Sequence, residues 1–148
     1  MKKVLIAYFS LTGKTEQMAQ YIAEGIRLSD QKAVTKKIAD IKSKKDLTGY
    51  DGFIFGCPTY YRDITEPMKT FLFLGRKANL EGKLGGAFGS YTHDGNAPAI
   101  IFDTMQYVYK MEPFELGPFN LIEAIVEKTE GMRACQDYGR VFGEKLVS

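Results

Sequence analysis

The chain is poor in the residues on which metal and disulfide sites depend. Its 148 residues include two cysteines, Cys57 and Cys135, a single histidine, His93, and no tryptophan. Two widely spaced cysteines do not form a disulfide framework, so we expect a cytoplasmic protein. One histidine excludes a histidine-rich metal site, and no Cys-x-x-Cys pair is present, so we expect no bound metal.

Long apolar runs and a strong net charge are also missing. No run approaches the roughly 20 apolar residues that cross a bilayer, and Lys14 and Glu16 follow the first run too soon for a secretory signal. The net charge of +2 does not indicate nucleic-acid binding. We interpret the lysines between residues 36 and 45 as solvated surface. We expect one domain over residues 1–148, with neither a membrane nor a nucleic-acid partner.

What is present is an alternation of buried strands and amphipathic helices. Apolar runs predict strands at 3–9, 53–57 and 84–89, a weaker strand at 34–38, and a last one within 113–126. Apolar residues at helical spacing predict helices over 14–28, 66–74, 97–111 and 132–146. This order indicates an α/β fold in which helices cover both faces of a parallel sheet.

Some helix details can be predicted as well. We expect Thr65 to cap the helix at 66–74, and Asp94 or Asn96 to cap the helix at 97–111. In that third helix, the inward face is predicted to carry Ile101, Met105 and Val108. In the closing helix it is predicted to carry Cys135, Tyr138, Phe142 and Leu146.

Ligands of parallel sheets bind beyond the carboxyl ends of the strands. Three loops fit that position: the first loop (residues 10–15), the second loop (57–63) and the third loop (90–96). The first loop ends in Gly13-Lys14-Thr15, as a nucleotide-binding P-loop does. A P-loop also needs a glycine where this chain has Tyr8, so that motif is excluded.

The first loop nevertheless carries three hydroxyl side chains, on Ser10, Thr12 and Thr15. One hydroxyl would suffice to cap the following helix. Helix N-termini bind anions, and Lys14 in the first turn opposes the helix dipole unless an anion is present. Glu16 weakens that second argument, because an acidic residue favours the helix without a ligand. We expect the loop to bind phosphate, with a plain helix cap as the alternative.

The second loop carries two adjacent tyrosines, Tyr60 and Tyr61, which suit a flat aromatic ligand. A tyrosine-phosphatase loop is excluded, because only four residues separate Cys57 from Arg62. We interpret Cys57 as a small residue at the end of a strand, since no neighbour in sequence activates its thiol. Arg62 either faces solvent or holds an acidic group of a substrate or cofactor.

The third loop supplies another aromatic ring, Tyr91, and a glycine, Gly95, that permits close backbone approach. His93 is either a surface residue or a hydrogen-bond donor and proton carrier beside a redox ring. A phosphate loop and two aromatic loops at one sheet edge describe a flat ring with a phosphate tail. Flavin mononucleotide (FMN) fits better than a dinucleotide, because no Gly-x-Gly-x-x-Gly follows the first strand.

These residues are similar to the motifs of the flavodoxin-like family along nearly the whole chain. Residues 10–15 resemble its Ser/Thr-x-Thr-Gly-x-Thr phosphate loop, and residues 50–60 resemble its Tyr-Asp, apolar strand, Gly-x-Pro-Thr-Tyr segment. Residues 67–72 resemble the helix that follows, whereas 113–130 match least well. The Pro-Thr-aromatic form is typical of WrbA-like quinone reductases as much as of short-chain flavodoxins.

The resemblance implies a flavodoxin-like three-layer sandwich, with a five-stranded parallel sheet of order 2-1-3-4-5 and noncovalent FMN. It assigns the phosphate to Ser10, Leu11, Thr12, Gly13, Lys14 and Thr15. It places beside the isoalloxazine ring Pro58, Thr59, Tyr60 and Tyr61 from the second loop, and Ser90, Tyr91, Thr92, His93, Asp94 and Gly95 from the third. An electron-rich tyrosine on the ring face would disfavour the anionic reduced flavin.

Three functions remain open at this point. The first, which we favour, is an electron-transfer flavoprotein whose partner is a redox protein or a small-molecule acceptor. The second is an NAD(P)H-dependent FMN oxidoreductase that reduces quinones, so whether the chain is an enzyme stays undecided. The third is a binding module without flavin, which the three hydroxyls argue against. The net charge of +2 argues weakly against a shuttle with basic partners. We expect a monomer or dimer.

Overall fold

The centre of the molecule is a parallel β-sheet. The computed structural model describes residues 1–148 and contains six strands, β1 Lys3–Tyr8, β2 Lys32–Lys37, β3 Gly52–Gly56, β4 Leu84–Tyr91, β5 Glu112–Pro113 and β6 Phe119–Ile122. The order is β2-β1-β3-β4-β5, all neighbours are parallel, and β6 also pairs with β4. The predicted order 2-1-3-4-5 is thereby confirmed, with the fifth strand divided into β5 and β6.

Helices cover both faces of the sheet, as predicted. They are α1 Lys14–Leu28, α2 Glu66–Gly75, α3 Ala97–Asp103, α4 Glu123–Val126 and α5 Thr129–Leu146, with 3₁₀ turns at Ile38–Asp40 and Lys44–Leu47 and a π-helical turn at Thr104–Val108. The predicted bounds of the first helix, 14–28, coincide with α1. No helix is both long and apolar enough to cross a lipid bilayer.

Side chains of the central strands alternate between two cores. Leu5 and Ala7 of β1 face a core that α2 and α3 close, while Val4 and Ile6 face one that α1 and α5 close. This alternation explains why β1 is apolar throughout, because a strand covered on both faces has no solvent side. Free energy from burial is therefore gained on both sides of one sheet.

The α1 and α5 helices touch backbone to backbone. A methyl group added at Gly25 would overlap the carbonyl oxygen of Gln136, and one at Gly139 would overlap that of Ile22. Only glycine permits this close approach, because any side chain at the crossing would push the helices apart. The contact brings Tyr138, which directly precedes Gly139 in α5, against the sheet in the buried core.

The last strand is interrupted, and the side chain of Tyr138 fills the interruption. β5 pairs with Leu84 and Gly85 of β4, whereas β6 pairs with β4 only from Phe88 onward. Gly86 and Ala87 of β4 therefore lack a strand partner on this side. The buried Tyr138 hydroxyl accepts a hydrogen bond from the Ala87 N–H at 3.1 Å and lies 3.3 Å from the Ala87 carbonyl oxygen. Burial raises its pKa far above the usual range, so it stays a neutral donor and acceptor.

Two smaller expectations were wrong. Val108 is exposed, because the π-helical turn adds a residue and brings Tyr109 inward instead; the Tyr109 N–H bonds to the Thr104 carbonyl at 3.0 Å. Thr65 stands at the N-cap position of α2, but its hydroxyl is buried without a hydrogen-bond partner and does not cap the helix.

We expect Tyr138→Phe to lower the free energy of unfolding by about 1–3 kcal/mol, because the Ala87 N–H is left buried without an acceptor. Urea denaturation monitored by circular dichroism measures the change. Tyr21→Phe is the control, since Tyr21 packs beside the same core and should lose less than about 0.5 kcal/mol. Equal losses in the two variants would contradict this account of the interrupted strand.

Candidate functional site

The three predicted loops leave the sheet at one edge. The strand register pairs Tyr8 with Gly56 and Gly56 with Phe88, so β1 and β3 end side by side, while β4 continues past them to Tyr91. The backbone continues the pairing briefly into the loops, since the Phe9 N–H bonds to the Gly56 carbonyl at 3.0 Å. The first and second loops therefore start at one level, and the third loop starts at the same edge from the longer β4.

In the first loop, Gly13 and Ser10 set the backbone. Gly13 has φ of 91°, in the left-handed region, and no atom lies within 4 Å of where a Cβ would stand. The Ser10 hydroxyl accepts hydrogen bonds from the N–H groups of Gly13 and Glu16, both at 3.2 Å. The Ser10 hydroxyl alone thus caps the N-terminus of α1.

Besides the N–H of Ser10, four N–H groups that flank Gly13 have no acceptor in the protein. They belong to Leu11, Thr12, Lys14 and Thr15. Free N–H groups at a helix N-terminus, together with the helix dipole, favour an anion. The backbone of the first loop is therefore a cradle with the donors that a phosphate requires, which fits the phosphate end of FMN.

The hydroxyl of Thr15 has a different partner from the one expected. Thr15 is buried, and its Oγ1 lies 2.8 Å from Oγ of Ser90, which is completely buried. Neither hydroxyl has another hydrogen-bond partner. This pair joins the first turn of α1 to the end of β4, and so connects the first and third loops.

Two carboxylates near the first loop were not anticipated from the sequence. The Thr12 hydroxyl donates to Oε1 of Glu123 at 3.1 Å, and Nζ of Lys14 lies 2.9 Å from Oε1 of Glu127. The cation in the first turn of α1 therefore has a protein partner, and its presence no longer argues for phosphate. Both glutamates come from the segment around α4, far away in sequence, so no local spacing could have identified them.

The second loop turns sharply at its two most exposed residues. Tyr60 and Asp63 exchange backbone hydrogen bonds of 3.1 and 3.0 Å across the turn. Tyr61 and Arg62 between them have φ of 51° and 63°, both in the left-handed region. A two-residue turn of this type normally carries glycine or asparagine, so this backbone is strained. The Tyr61 ring is fully exposed as a result of this geometry.

Three hydrogen bonds hold the second and third loops together. The Thr59 N–H bonds to the Ser90 carbonyl at 3.3 Å, and the Asn96 side chain donates to the Arg62 carbonyl at 3.2 Å. Nε of Arg62 donates to Oδ2 of Asp94 at 3.3 Å. Arg62 and Asp94 are both exposed, so this ion pair orders the loops more than it stabilises the fold.

The cap of α3 comes from another loop than expected. The Ala97 N–H bonds to the Thr59 hydroxyl at 2.9 Å, whereas neither Asp94 nor Asn96 caps the helix with its side chain. The two predicted caps were therefore wrong, because those side chains bind Arg62 instead. The buried Thr59 side chain thus links the second loop to the start of α3.

Tyr60 and Tyr61, but not Tyr91, line an open cleft at this edge. A cleft of about 330 Å³ lies between the first and second loops, lined by Phe9, Leu11, Tyr60 and Tyr61 among others. Burial, and then the charge of Glu123, raise the pKa of Tyr60. Tyr91 at the end of β4 is half-buried.

The other predicted site residues divide into buried and exposed ones. Pro58 is buried at the end of β3, while Thr92 and His93 are exposed and Gly95 is half-buried. Cys57 is completely buried, and burial raises its pKa to about 11. A thiol in this state is a poor nucleophile, which agrees with a small strand-end residue.

We expect Thr15→Val to lower the free energy of unfolding by about 1–3 kcal/mol, because the Ser90 hydroxyl loses its only partner inside the protein. Thr15→Ser keeps the hydroxyl and is the control, with a smaller loss expected. Urea denaturation compares the two variants. If they are equally destabilised, the hydrogen bond between α1 and β4 is not what the Thr15 side chain contributes.

We expect Tyr61→Asn to raise the free energy of unfolding by about 0.5–1 kcal/mol, because asparagine tolerates the left-handed backbone better than tyrosine does. The exposed ring loses no packing when it is removed. Tyr61→Phe keeps the strain and should leave stability unchanged. Thermal and urea unfolding measure both variants, and a destabilised Tyr61→Asn would show that the turn is not strained.

The sheet order, the anion cradle and the aromatic loops define an α/β protein of the kind that binds a phosphorylated planar cofactor. Comparison with known proteins agrees with this class. The flavodoxin family model matches residues 6–108. A flavodoxin of Clostridium saccharobutylicum is 44% identical over 88 residues, which cover 60% of this chain and 55% of the relative.

Two further comparisons extend over more of the chain. An NAD(P)H dehydrogenase (quinone) of Cupriavidus metallidurans is 31% identical over 126 residues, covering 69% of this chain and 63% of that protein. A solved flavodoxin from the domain Archaea superposes with a TM-score of 0.91 at 26% identity, and 99% of each chain is covered. The chain thus spans less than two thirds of the two curated relatives.

The chain belongs to the flavodoxin family. Flavodoxins bind FMN and transfer electrons to redox partner proteins. The predictions of a flavodoxin-like fold and of FMN as the cofactor are confirmed at the level of the family.

Proposed function

We propose that the chain holds FMN noncovalently at the carboxyl edge of its sheet and works as a carrier of electrons between redox partners. The observation that carries this proposal is the group of four free N–H groups around the left-handed Gly13. These N–H groups can donate hydrogen bonds to a phosphate. The only cationic side chain of the loop, Lys14, is already paired with Glu127. When bound, FMN supplies redox chemistry that no side chain here provides.

In this proposal the first loop holds the phosphate mainly with its backbone. The Thr15 hydroxyl is buried against Ser90, and the Ser10 hydroxyl accepts from two N–H groups but keeps its own proton. The hydroxyls that can still donate to a phosphate are therefore that of Ser10 and that of Thr12. The present acceptor of the Thr12 hydroxyl is Glu123, whose charge opposes a second anion nearby. Residues 10–15 therefore act through Gly13, which fixes the directions of the N–H groups.

The second and third loops provide the contacts for the ring. Tyr60, Tyr61 and Tyr91 offer aromatic faces, and residues 58–61 and 90–95 bring backbone groups to the same space. The links from Arg62 to Asp94 and Asn96 orient these loops relative to each other. Strain at Tyr61 is typical of positions where a side chain is held out for a ligand.

The alternative is an FMN oxidoreductase that accepts hydride from NAD(P)H. It is favoured by the 31% identity to the NAD(P)H dehydrogenase (quinone). The flavodoxin of higher identity and the solved flavodoxin that covers 99% of the chain support the carrier instead.

We expect Gly13→Ala to weaken FMN binding by about tenfold or more, because a Cβ at this φ costs roughly 1–2 kcal/mol and redirects the loop N–H groups. Riboflavin, which lacks the phosphate, should bind both proteins equally. Gly49→Ala is the matched control, because Gly49 also has a left-handed φ, 87°, and open space around it. Fluorescence quenching during titration of the purified protein measures all affinities.

Several outcomes would decide against the proposal. If the purified chain neither contains nor takes up FMN, the electron-carrier function is wrong. Equal losses for FMN and riboflavin in Gly13→Ala would mean that the first loop does not hold the phosphate. Rapid loss of the visible flavin absorbance on mixing with NADH or NADPH alone would favour the oxidoreductase.

A further inference from the structure

A second depression adjoins the first loop and borders the cleft of Tyr60 and Tyr61, with which it shares Phe9, Leu11 and Pro67. Two clefts, of about 390 and 570 Å³, share Phe9, Ile38 and Ala39 and so form one continuous groove. At one end the groove is lined by residues 10–13 of the first loop. At the other end it is lined by the face of α2 that carries residues 67, 70, 71 and 74. We call it the β2–α2 groove.

The floor of the β2–α2 groove is apolar and its rim is basic. Ile38, Ile41 and Phe71 form the floor and are themselves almost completely buried. Lys37 lines one end of the groove, and Lys42 lines the other. The side chains of both lysines are exposed.

The positive charge here is local and uncompensated. Residues 36–46 contain five lysines against two aspartates, although the whole chain has a net charge of only +2. None of these lysines takes part in an ion pair. The Asp46 carboxylate is engaged by the N–H groups of Lys42 and Ser43, and Glu16 in the groove accepts from the Tyr8 hydroxyl at 2.6 Å. Asp40 is the remaining acidic residue of the segment.

We infer that the β2–α2 groove is the docking surface for an acidic partner protein that places an apolar side chain on the groove floor. Unpaired lysines spread over a surface steer an oppositely charged protein rather than grip a small anion. A buried apolar anchor with a polar rim is the usual anatomy of a protein interface. The inference builds on the proposed electron carrier and names the class of its partner.

The position of the groove suits such a role. Residues 10–13 belong both to its wall and to the first loop, so a partner docked there lies beside the proposed flavin site. The opposite, amino-terminal end of the strands also carries lysines, for example Lys32 at the start of β2 and Lys145 in the last turn of α5. Substituting those lysines changes the net charge of the chain without changing the charge at the rim of the groove.

The test measures binding of the full chain, without added FMN, to an acidic b-type cytochrome by isothermal titration calorimetry, with a basic c-type cytochrome as the comparison probe. We expect the acidic probe to bind, the basic probe not to bind, and affinity to fall as salt increases. The double variant Lys37→Glu/Lys42→Glu should weaken binding about tenfold or more. The control Lys32→Glu/Lys145→Glu makes the same change in net charge and should weaken it less than about twofold.

Equal losses in the two double variants would overturn the inference, because net charge alone would then explain binding. Preference for the basic probe would overturn it as well, as would self-association of the chain that Lys37→Glu/Lys42→Glu abolishes. Circular dichroism melting checks that both variants are folded, and both are surface changes. Because the test measures protein binding and not electron transfer, these outcomes do not depend on whether the chain binds FMN.

Discussion

The register of β1, β3 and β4 is the constraint on which the site depends. Their register places Tyr8, Gly56 and Phe88 next to one another, so the first and second loops begin at the same height and the third begins at the same edge of the sheet. A slip of one residue would also turn every side chain of a strand to the other face. Because β1 and β3 are buried on both faces, the two cores fix the register, and the register fixes where the loops meet.

The loops then use their side chains to bind each other and leave the backbone free. Ser10, Thr15 and Thr59 have hydroxyl groups of the kind that bind phosphate, yet each is engaged in a cap or a buried link. Such links hold the loop backbone in place before any ligand arrives, which lowers the entropic cost of binding. The free N–H groups around Gly13 are thus rigid donors, and anion binding depends more on conformation than on residue type.

Much of this arrangement could be predicted from the sequence. The continuous apolar run of β1 and the helical spacing after Gly13 determine the start of the chain, and α1 has the predicted bounds. Proline and glycine between residues 113 and 118 blurred the limits of the last strand. The interruption itself could not be predicted, because the Tyr138 hydroxyl that bonds β4 there is distant in sequence. Val108 was misplaced because a π-helical turn leaves no periodic signal. Glu123 could not be found, since 111 residues separate it from Thr12.

The distribution of charge over the surface explains how a chain with a small net charge can attract a protein partner. A chain at +2 gives little long-range attraction in either direction, which by itself argues against a carrier that finds protein partners. The lysines of residues 36–46 are concentrated beside the first loop, while Glu123 and Glu127 lie at the loop itself. At physiological salt, charges act over about 8 Å, so a partner responds to this local pattern and not to the sum. The small net charge is therefore compatible with a strongly directional surface.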